Sequence, residues 1–135
     1  MTRHDTQTID IAADPTQVLG FIAEGSNLPK WAIGFAKSVE RADDHWVVET
    51  GAGDRIPTRV ISCGASGTVD FVMNPAPGVT ATAFARVMHV ADATLFSFTQ
   101  VQSPGMPDDV FDAQVRALSH ELIALKALLE VQCPL

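Results

Sequence analysis

The last third of the chain carries a single apolar stripe at helical spacing. Apolar side chains recur there at steps of three and four residues, which is the period of one face of an α-helix. The stripe predicts one long amphipathic helix that must bury this face against the strands before it. Its positions are Phe111, Val115, Leu118, Leu122, Leu125 and Leu129. No acid, histidine or tyrosine is assigned to the stripe, so we expect the helix to be an apolar cover and the sheet to supply any polar chemistry.

Upstream of this helix, alternating apolar and polar positions predict seven strands. The first strand is predicted over residues 6–12. Asp14-Pro15 then begins a helix, because Asp14 can cap the free amides and Gln17 stands at capping-box spacing. Residues 26–31 are predicted to form a short second helix or turn, since Pro29 interrupts them. Six further strands, separated by turn residues, are predicted at 35–41, 45–50, 55–63, 68–73, 80–90 and 94–101.

The order of these elements predicts an α+β fold class. The connections between strands are too short for helical crossovers, so the sheet should be mainly antiparallel. We expect a curved sheet of about seven strands wrapped around one long C-terminal helix, with two short helices after strand one. An up-and-down β-barrel would give the last helix no reason to carry its stripe. A cone of the nuclear-transport-factor kind would place its helices first and end in strands.

Length and composition predict one domain over residues 1–135. The chain is 47% hydrophobic and 19% charged, with a formal net charge of −7. An acidic chain without a basic footprint predicts no nucleic-acid partner, and the absence of a long apolar run predicts no membrane insertion. The two cysteines provide no disulfide framework, so a cytoplasmic location is the simpler interpretation. Exposed sheet edges would allow a homodimer.

The common catalytic and metal-binding motifs are missing from the sequence. Gly51-Ala52-Gly53 lacks the third glycine of a dinucleotide loop and precedes a strand instead of a helix. The four histidines are scattered without the spacing of metal ligands. We therefore expect no metal and no cofactor, and we look for function in a cavity between the sheet and the long helix.

Segments along nearly the whole chain resemble the SRPBCC (START-related, helix-grip) superfamily. The opening segment of superfamily members is similar to Ile9-Asp10-Ile11-Ala12-Ala13-Asp14-Pro15 of this chain. The stretch before the second strand in polyketide cyclase-like members resembles Asn27-Leu28-Pro29-Lys30-Trp31-Ala32. Residues 67–70, 86–87, 98–100 and 121–130 fit small bacterial members. The resemblance implies a helix-grip fold and a cavity for lipids, sterols, polyketides, hormones or aromatic compounds. Similar members often carry a histidine where this chain has Phe71, so that group is lost here.

Three aromatic residues and one acid are candidates for ligand contact. Trp31 lies in the short helical segment that should cap the cavity, although packing against the first helix would explain it equally. Phe96 and Phe98 share one face of the last strand, and large aromatic side chains usually take the core side. Asp70 stands in a strand, where acids are disfavoured, so it has either a specific partner or an exposed position.

Arg86 and His89 are alternative polar contacts on the sixth strand. Arg86 resembles an arginine that is common at this position in similar members, where it could bind a carboxylate or carbonyl oxygen. The simpler interpretation is a surface or barrel-end charge paired with Asp70. A two- or four-residue turn at Ala91-Asp92 would place His89 on the face of the last strand's aromatics. A one-residue bulge would place Arg86 there instead.

These observations support three functional hypotheses. The leading one is binding of a small apolar or aromatic molecule in the cavity, because the chain has no convergent acid-base pair. The second is a polyketide cyclase/dehydrase-like enzyme that uses the same cavity. The third is a START-related protein-interaction module without a ligand, which predicts a filled core.

Overall fold

The computed structural model of this protein describes residues 2–134, which form one antiparallel sheet, three α-helices and a short 3-10 turn. The strands are β1 (His4–Ile11), β2 (Ser38–Ala42), β3 (His45–Glu49), β4 (Arg55–Cys63), β5 (Thr68–Ala76), β6 (Val79–Val90) and β7 (Ala93–Val101). The helices are α1 (Pro15–Ala23), α2 (Leu28–Trp31) and α3 (Asp108–Gln132), and the 3-10 turn spans Gly25–Asn27.

The seven strands follow the order β1-β7-β6-β5-β4-β3-β2, and every neighbouring pair is antiparallel. Strands β1 and β2 are therefore the two edges, and the short helices connect one edge to the other. The sheet curves around α3. This arrangement confirms the predicted α+β helix-grip fold. The edges leave backbone groups unpaired on their outer sides, and a homodimer stays a prediction.

Local sequence signals fixed most of the element boundaries. Asp14 caps α1 as predicted, because its side chain accepts a hydrogen bond from the Gln17 backbone N–H at 3.0 Å. The second strand, however, begins at Ser38 and not at residue 35. Phe35 and Ala36 instead donate backbone hydrogen bonds to the Ala32 carbonyl, at 2.9 and 2.8 Å, so these residues form a turn after α2.

Helix α3 buries its predicted stripe and is bound to the edge strand β1. Five of the six stripe positions are buried, and Val115 is half-buried. The Gln7 side chain donates to the Val115 carbonyl at 3.0 Å, and Lys126 donates to the Asp10 carbonyl at 2.7 Å. The expectation of an acid-free stripe is wrong, because Glu121 is also buried on this side of the helix.

The last described residues lie beside the connection between β1 and α1. The Asp14 backbone N–H donates to the carbonyl of Cys133 at 3.0 Å, and Ala13 forms an isolated antiparallel bridge with Pro134. The Glu130 side chain also accepts a hydrogen bond from the Ala12 backbone N–H at 2.8 Å. The end of α3 is thus joined to the connection between β1 and α1.

An aromatic cluster packs α2 onto the sheet. The ring of Trp31 lies 6.0 Å from those of Phe96 and Phe98, in edge-to-face arrangements, and 6.4 Å from that of Phe71. Such arrangements are favourable beyond the area they bury. They hold the end of α2 above the middle strands of the sheet.

Gly67 provides a test of how tightly the β4–β5 turn is joined to β6. Its φ is +72°, and a Cβ there would lie 2.2 Å from the Val87 carbonyl oxygen. The Val87 N–H also donates to the Gly67 carbonyl at 2.8 Å. We expect Gly67→Ala to lower the free energy of unfolding by roughly 2–4 kcal/mol in urea denaturation, because both φ strain and a backbone clash result.

Gly64→Ala is the matched control in the same turn. A Cβ at Gly64 meets no atom within 4 Å, and its φ lies outside the left-handed region. We expect it to change the free energy of unfolding by less than about 0.5 kcal/mol. Equal effects of the two substitutions would contradict this account of Gly67.

Candidate functional site

A cavity of about 190 Å³ lies between the sheet, α3 and the segment that follows α2. Its walls come from β4, β5, β6 and β7 on one side and from α3 on the other, and the loop after β7 lines one end. For comparison, an engineered cavity of about 150 Å³ in another protein holds benzene. The space therefore suits a molecule of about one ring, or the ring of a longer molecule that extends outward.

The cavity walls are mainly apolar, and small residues make the space. Aromatic side chains line it from α2, from the turn after α2 and from the sheet. Alanines on β6 and α3 leave room between these rings. The aromatic residues are Trp31, Phe35, Phe71 and Phe98, and the alanines include Ala81, Ala83 and Ala117.

The residue that sequence reasoning missed is Glu121, a buried acid that lines the cavity from α3. Only 8% of its surface is exposed. Its Oε2 accepts a hydrogen bond from the Gly34 backbone N–H at 3.0 Å, which links α3 to the turn after α2. Burial raises the pKa of Glu121 from 4.5 to about 7, although the Gly34 and Phe35 backbone amides oppose this shift. A carboxyl in this range can gain or lose a proton near neutral pH.

The sequence did contain a signal for this residue. Position 121 is three residues after Leu118 and four before Leu125, so it lies on the buried side of the helix as surely as Leu122 does. An acid at such spacing indicates either that the buried face of the helix has been assigned wrongly or that the acid is a buried functional group. The residue in the opposing turn is Gly34, and a Cβ there would lie 3.0 Å from the Cβ of Ala117. The glycine therefore allows this turn to approach α3 closely enough for its N–H to reach the Glu121 carboxylate.

The structure places the three aromatic candidates in and around this cavity. Trp31 and Phe98 line it, whereas Phe96 is fully buried in the packing beside them. The indole Nε1 of Trp31 is buried and finds no hydrogen-bond partner within residues 2–134. The indole therefore forms a wall, and its N–H is not at the cavity surface. Ligand contact by these residues stays a prediction.

The three polar candidates lie away from the cavity. The turn at Ala91-Asp92 has two residues, with Val90 paired to Ala93. His89 therefore lies on the same face of the sheet as Phe96 and Phe98 of β7. His89 nevertheless lies beyond the buried part of β6, in a shallow surface groove beside α1 that Arg86 also lines. Asp70 is half-buried on the alternate face of β5 from the buried Val69 and Phe71, and no ion pair joins it to Arg86 within the described residues.

Two further properties of residues 2–134 bear on the kind of site. They contain no group of three or more His, Cys, Asp or Glu side chains placed to hold a metal ion. None of their helices combines the length and apolar character that a membrane span requires.

The sheet, the long helix and the cavity between them define a helix-grip domain. No protein-family model and no curated protein matches the sequence. Solved structures match the fold, among them an uncharacterised protein from Bacillus thuringiensis with a TM-score of 0.74, 18% identity, and coverage of 94% of this chain and 98% of that one.

Two other matches carry functional names. The Zhui aromatase/cyclase from Streptomyces sp. R1128 has a TM-score of 0.73 and 17% identity, over 96% of this chain and 94% of that one. A START superfamily protein from Mycobacterium smegmatis has a TM-score of 0.67 and 13% identity, over 96% and 98% of the two chains. At these identities the matches establish the fold, which is the one that the SRPBCC resemblance implied.

The raised pKa of Glu121 makes a prediction about stability and pH. Its folded-state pKa of about 7 lies above the ordinary 4.5, so folding favours the protonated carboxyl. The resulting stabilisation is complete below about pH 4.5 and is lost as the pH rises through 7, a change of roughly 3 kcal/mol. We expect Glu121→Gln to remove this contribution, so that its stability relative to the wild type increases between pH 5 and about pH 8.

Urea denaturation at several pH values measures this difference. Glu24→Gln is the control, because it makes the same chemical change at an exposed position that does not line the cavity. Parallel pH profiles for the wild type and Glu121→Gln would show that Glu121 titrates as an ordinary surface carboxyl.

Proposed function

We propose that this protein binds a small, largely apolar ligand in the cavity between the sheet and α3. The observation that carries the proposal is the cavity itself, about 190 Å³ of space with mainly apolar walls beside a closely packed core. Protein interiors seldom leave so much space unfilled, because an empty cavity costs stability. A ligand that fills the space recovers this cost.

The cavity also has an entrance for such a ligand. Several of its lining residues are exposed, including Pro75 on β5, Val101 at the end of β7 and Gln114 on α3. They lie around the loop between β7 and α3, where Ser103 and Met106 also line the space. A flat ring could enter here and leave a substituent directed outward. The similarity in fold to an aromatase/cyclase and a START superfamily protein supports a ligand cavity in this position.

A second candidate function is catalysis in the same cavity, as a polyketide cyclase/dehydrase-like enzyme. The specific observation in its favour is Glu121, whose pKa of about 7 suits a general acid or base at neutral pH. Ring closure needs a folded substrate, exclusion of water and one group that moves a proton. If this function is correct, Glu121→Gln should abolish cyclisation of a linear poly-β-ketone probe while binding of the probe persists.

The hypothesis of a protein-interaction module without a ligand predicted a filled core, and the cavity argues against that hypothesis.

Native mass spectrometry of the freshly purified protein is the direct test of binding, because it reports any retained small molecule and the oligomeric state.

A calorimetric titration with toluene tests where on the protein the ligand binds. We expect Ala83→Leu to weaken toluene binding at least about tenfold, because the larger side chain occupies the cavity while it adds buried apolar contact. Ala83 lines the cavity from the centre of the sheet.

Ala127→Leu is the matched control, since it adds the same atoms at an exposed position of α3. It should leave toluene affinity unchanged. Undiminished toluene binding by the Ala83→Leu protein would show that the ligand binds elsewhere, and the absence of any retained or titratable apolar molecule would contradict the proposed function.

A further inference from the structure

We propose that the ligand of this cavity carries a hydroxyl group that donates a hydrogen bond to Glu121, and that the cavity discriminates against carboxylate ligands. This inference rests on the proposed ligand-binding function and specifies its chemistry. The buried position of Glu121 against the cavity, its hydrogen bond to Gly34 and the composition of the remaining walls carry the argument.

Among residues 2–134, Glu121 alone of those that line the cavity has an ionisable side chain. The lining contains no arginine, lysine or histidine within the described part of the chain. Two side-chain amides line the cavity: that of Gln114 is on an exposed residue, and that of Gln100 already donates to protein acceptors, with 3.4 Å to the Gln114 carbonyl and 3.5 Å to Asp5 Oδ2. A ligand carboxylate would therefore be desolvated without a cationic partner and would face another acid.

The carboxyl of Glu121 has acceptor capacity left for a ligand. A carboxylate has about four lone-pair sites on its two oxygens. The hydrogen bond from Gly34 occupies one of them, on Oε2, and fixes the side chain between α3 and the turn after α2. The acceptor is thus held in place before any ligand arrives. A site built to accept a hydrogen bond favours the molecule that donates one over an analogue that lacks the donor.

A neutral hydroxyl fits these surroundings better than an ammonium group does. The neighbouring walls are aromatic and aliphatic, so a buried ammonium group would lose its hydration and gain only one charged hydrogen-bond acceptor, with the ring faces as weaker partners. Burial also favours the neutral form of Glu121, as its pKa of about 7 indicates. A hydroxyl can donate to the ionised carboxylate and can also exchange a hydrogen bond with the protonated acid. Phenol-like molecules of about one ring combine this group with a size that suits the cavity.

Three probes with one shared scaffold test the inference: toluene, 4-methylphenol and 4-methylbenzoate. They are titrated by calorimetry at pH 8 into the wild type, Glu121→Leu and Glu121→Gln. We expect the wild type to bind 4-methylphenol at least about tenfold more tightly than toluene, and 4-methylbenzoate more weakly than either. In Glu121→Leu, which removes the acceptor and keeps apolar bulk, the preference for 4-methylphenol should disappear.

Glu121→Gln keeps an oxygen for the Gly34 N–H and offers an amide donor to the cavity, so it keeps the informative comparison if Glu121→Leu does not fold. It should bind 4-methylbenzoate at least about tenfold more tightly than the wild type does, because the repulsion is gone. The exposed-site variant Glu24→Gln should reproduce the wild-type order of all three probes.

The possible failures are distinguishable. If toluene and 4-methylphenol bind the wild type equally, or if 4-methylbenzoate binds most tightly, the inference about Glu121 is wrong while the ligand-binding function stands. If a probe preference persists in Glu121→Leu, another group recognises the hydroxyl and the inference is again wrong. If none of the probes binds, the proposed function fails and the inference fails with it.

Discussion

The structure depends on one constraint, which is that α3 must bury a long apolar face against a sheet that curves around it. The helix meets this requirement along β1, where Gln7 and Lys126 provide hydrogen bonds between helix and strand. Toward the middle of the sheet, however, β6 presents alanines, and these are too small to reach the helix. The space between the two is filled partly by the aromatic residues around Trp31 and is otherwise left as the cavity. The site is thus a consequence of incomplete packing at a defined place.

Much of this fold could be predicted because its signals are local. The period of the final helix, the alternation in the strands and the cap at Asp14 are all set by residues within a few positions of one another. The start of β2 was mispredicted because Phe35 is apolar and continues the alternation, whereas its real place is a turn that delivers its ring to the cavity. The sequence around Phe35 could not reveal this turn, because the ring of Phe35 packs against residues of α3 and the sheet that are distant in the sequence.

The candidate site was harder to predict, for two physical reasons. The sequence left open which residues of β6 share the face of β7's aromatic residues. The structure has the two-residue turn, but the face of a strand does not tell how far along that strand the cavity extends. His89 shares the inner side and still lies outside, because the cavity occupies the opposite part of the sheet. Glu121 was overlooked because acids are expected on the solvent side of a helix, and only the position of Gly34 in three dimensions explains why this one is buried.

The pairing of the first strand with the last one has a consequence for how the molecule is made. Strand β1 adds to the sheet only through β7, and the connection after β1 is bridged to the final residues by the contacts of Asp14 with Cys133 and of Ala13 with Pro134. Contacts between residues so distant in sequence require closure of nearly the whole chain, which slows folding. The edge strand β1 and the helical wall of the cavity are therefore completed only after both β7 and α3 have been synthesised.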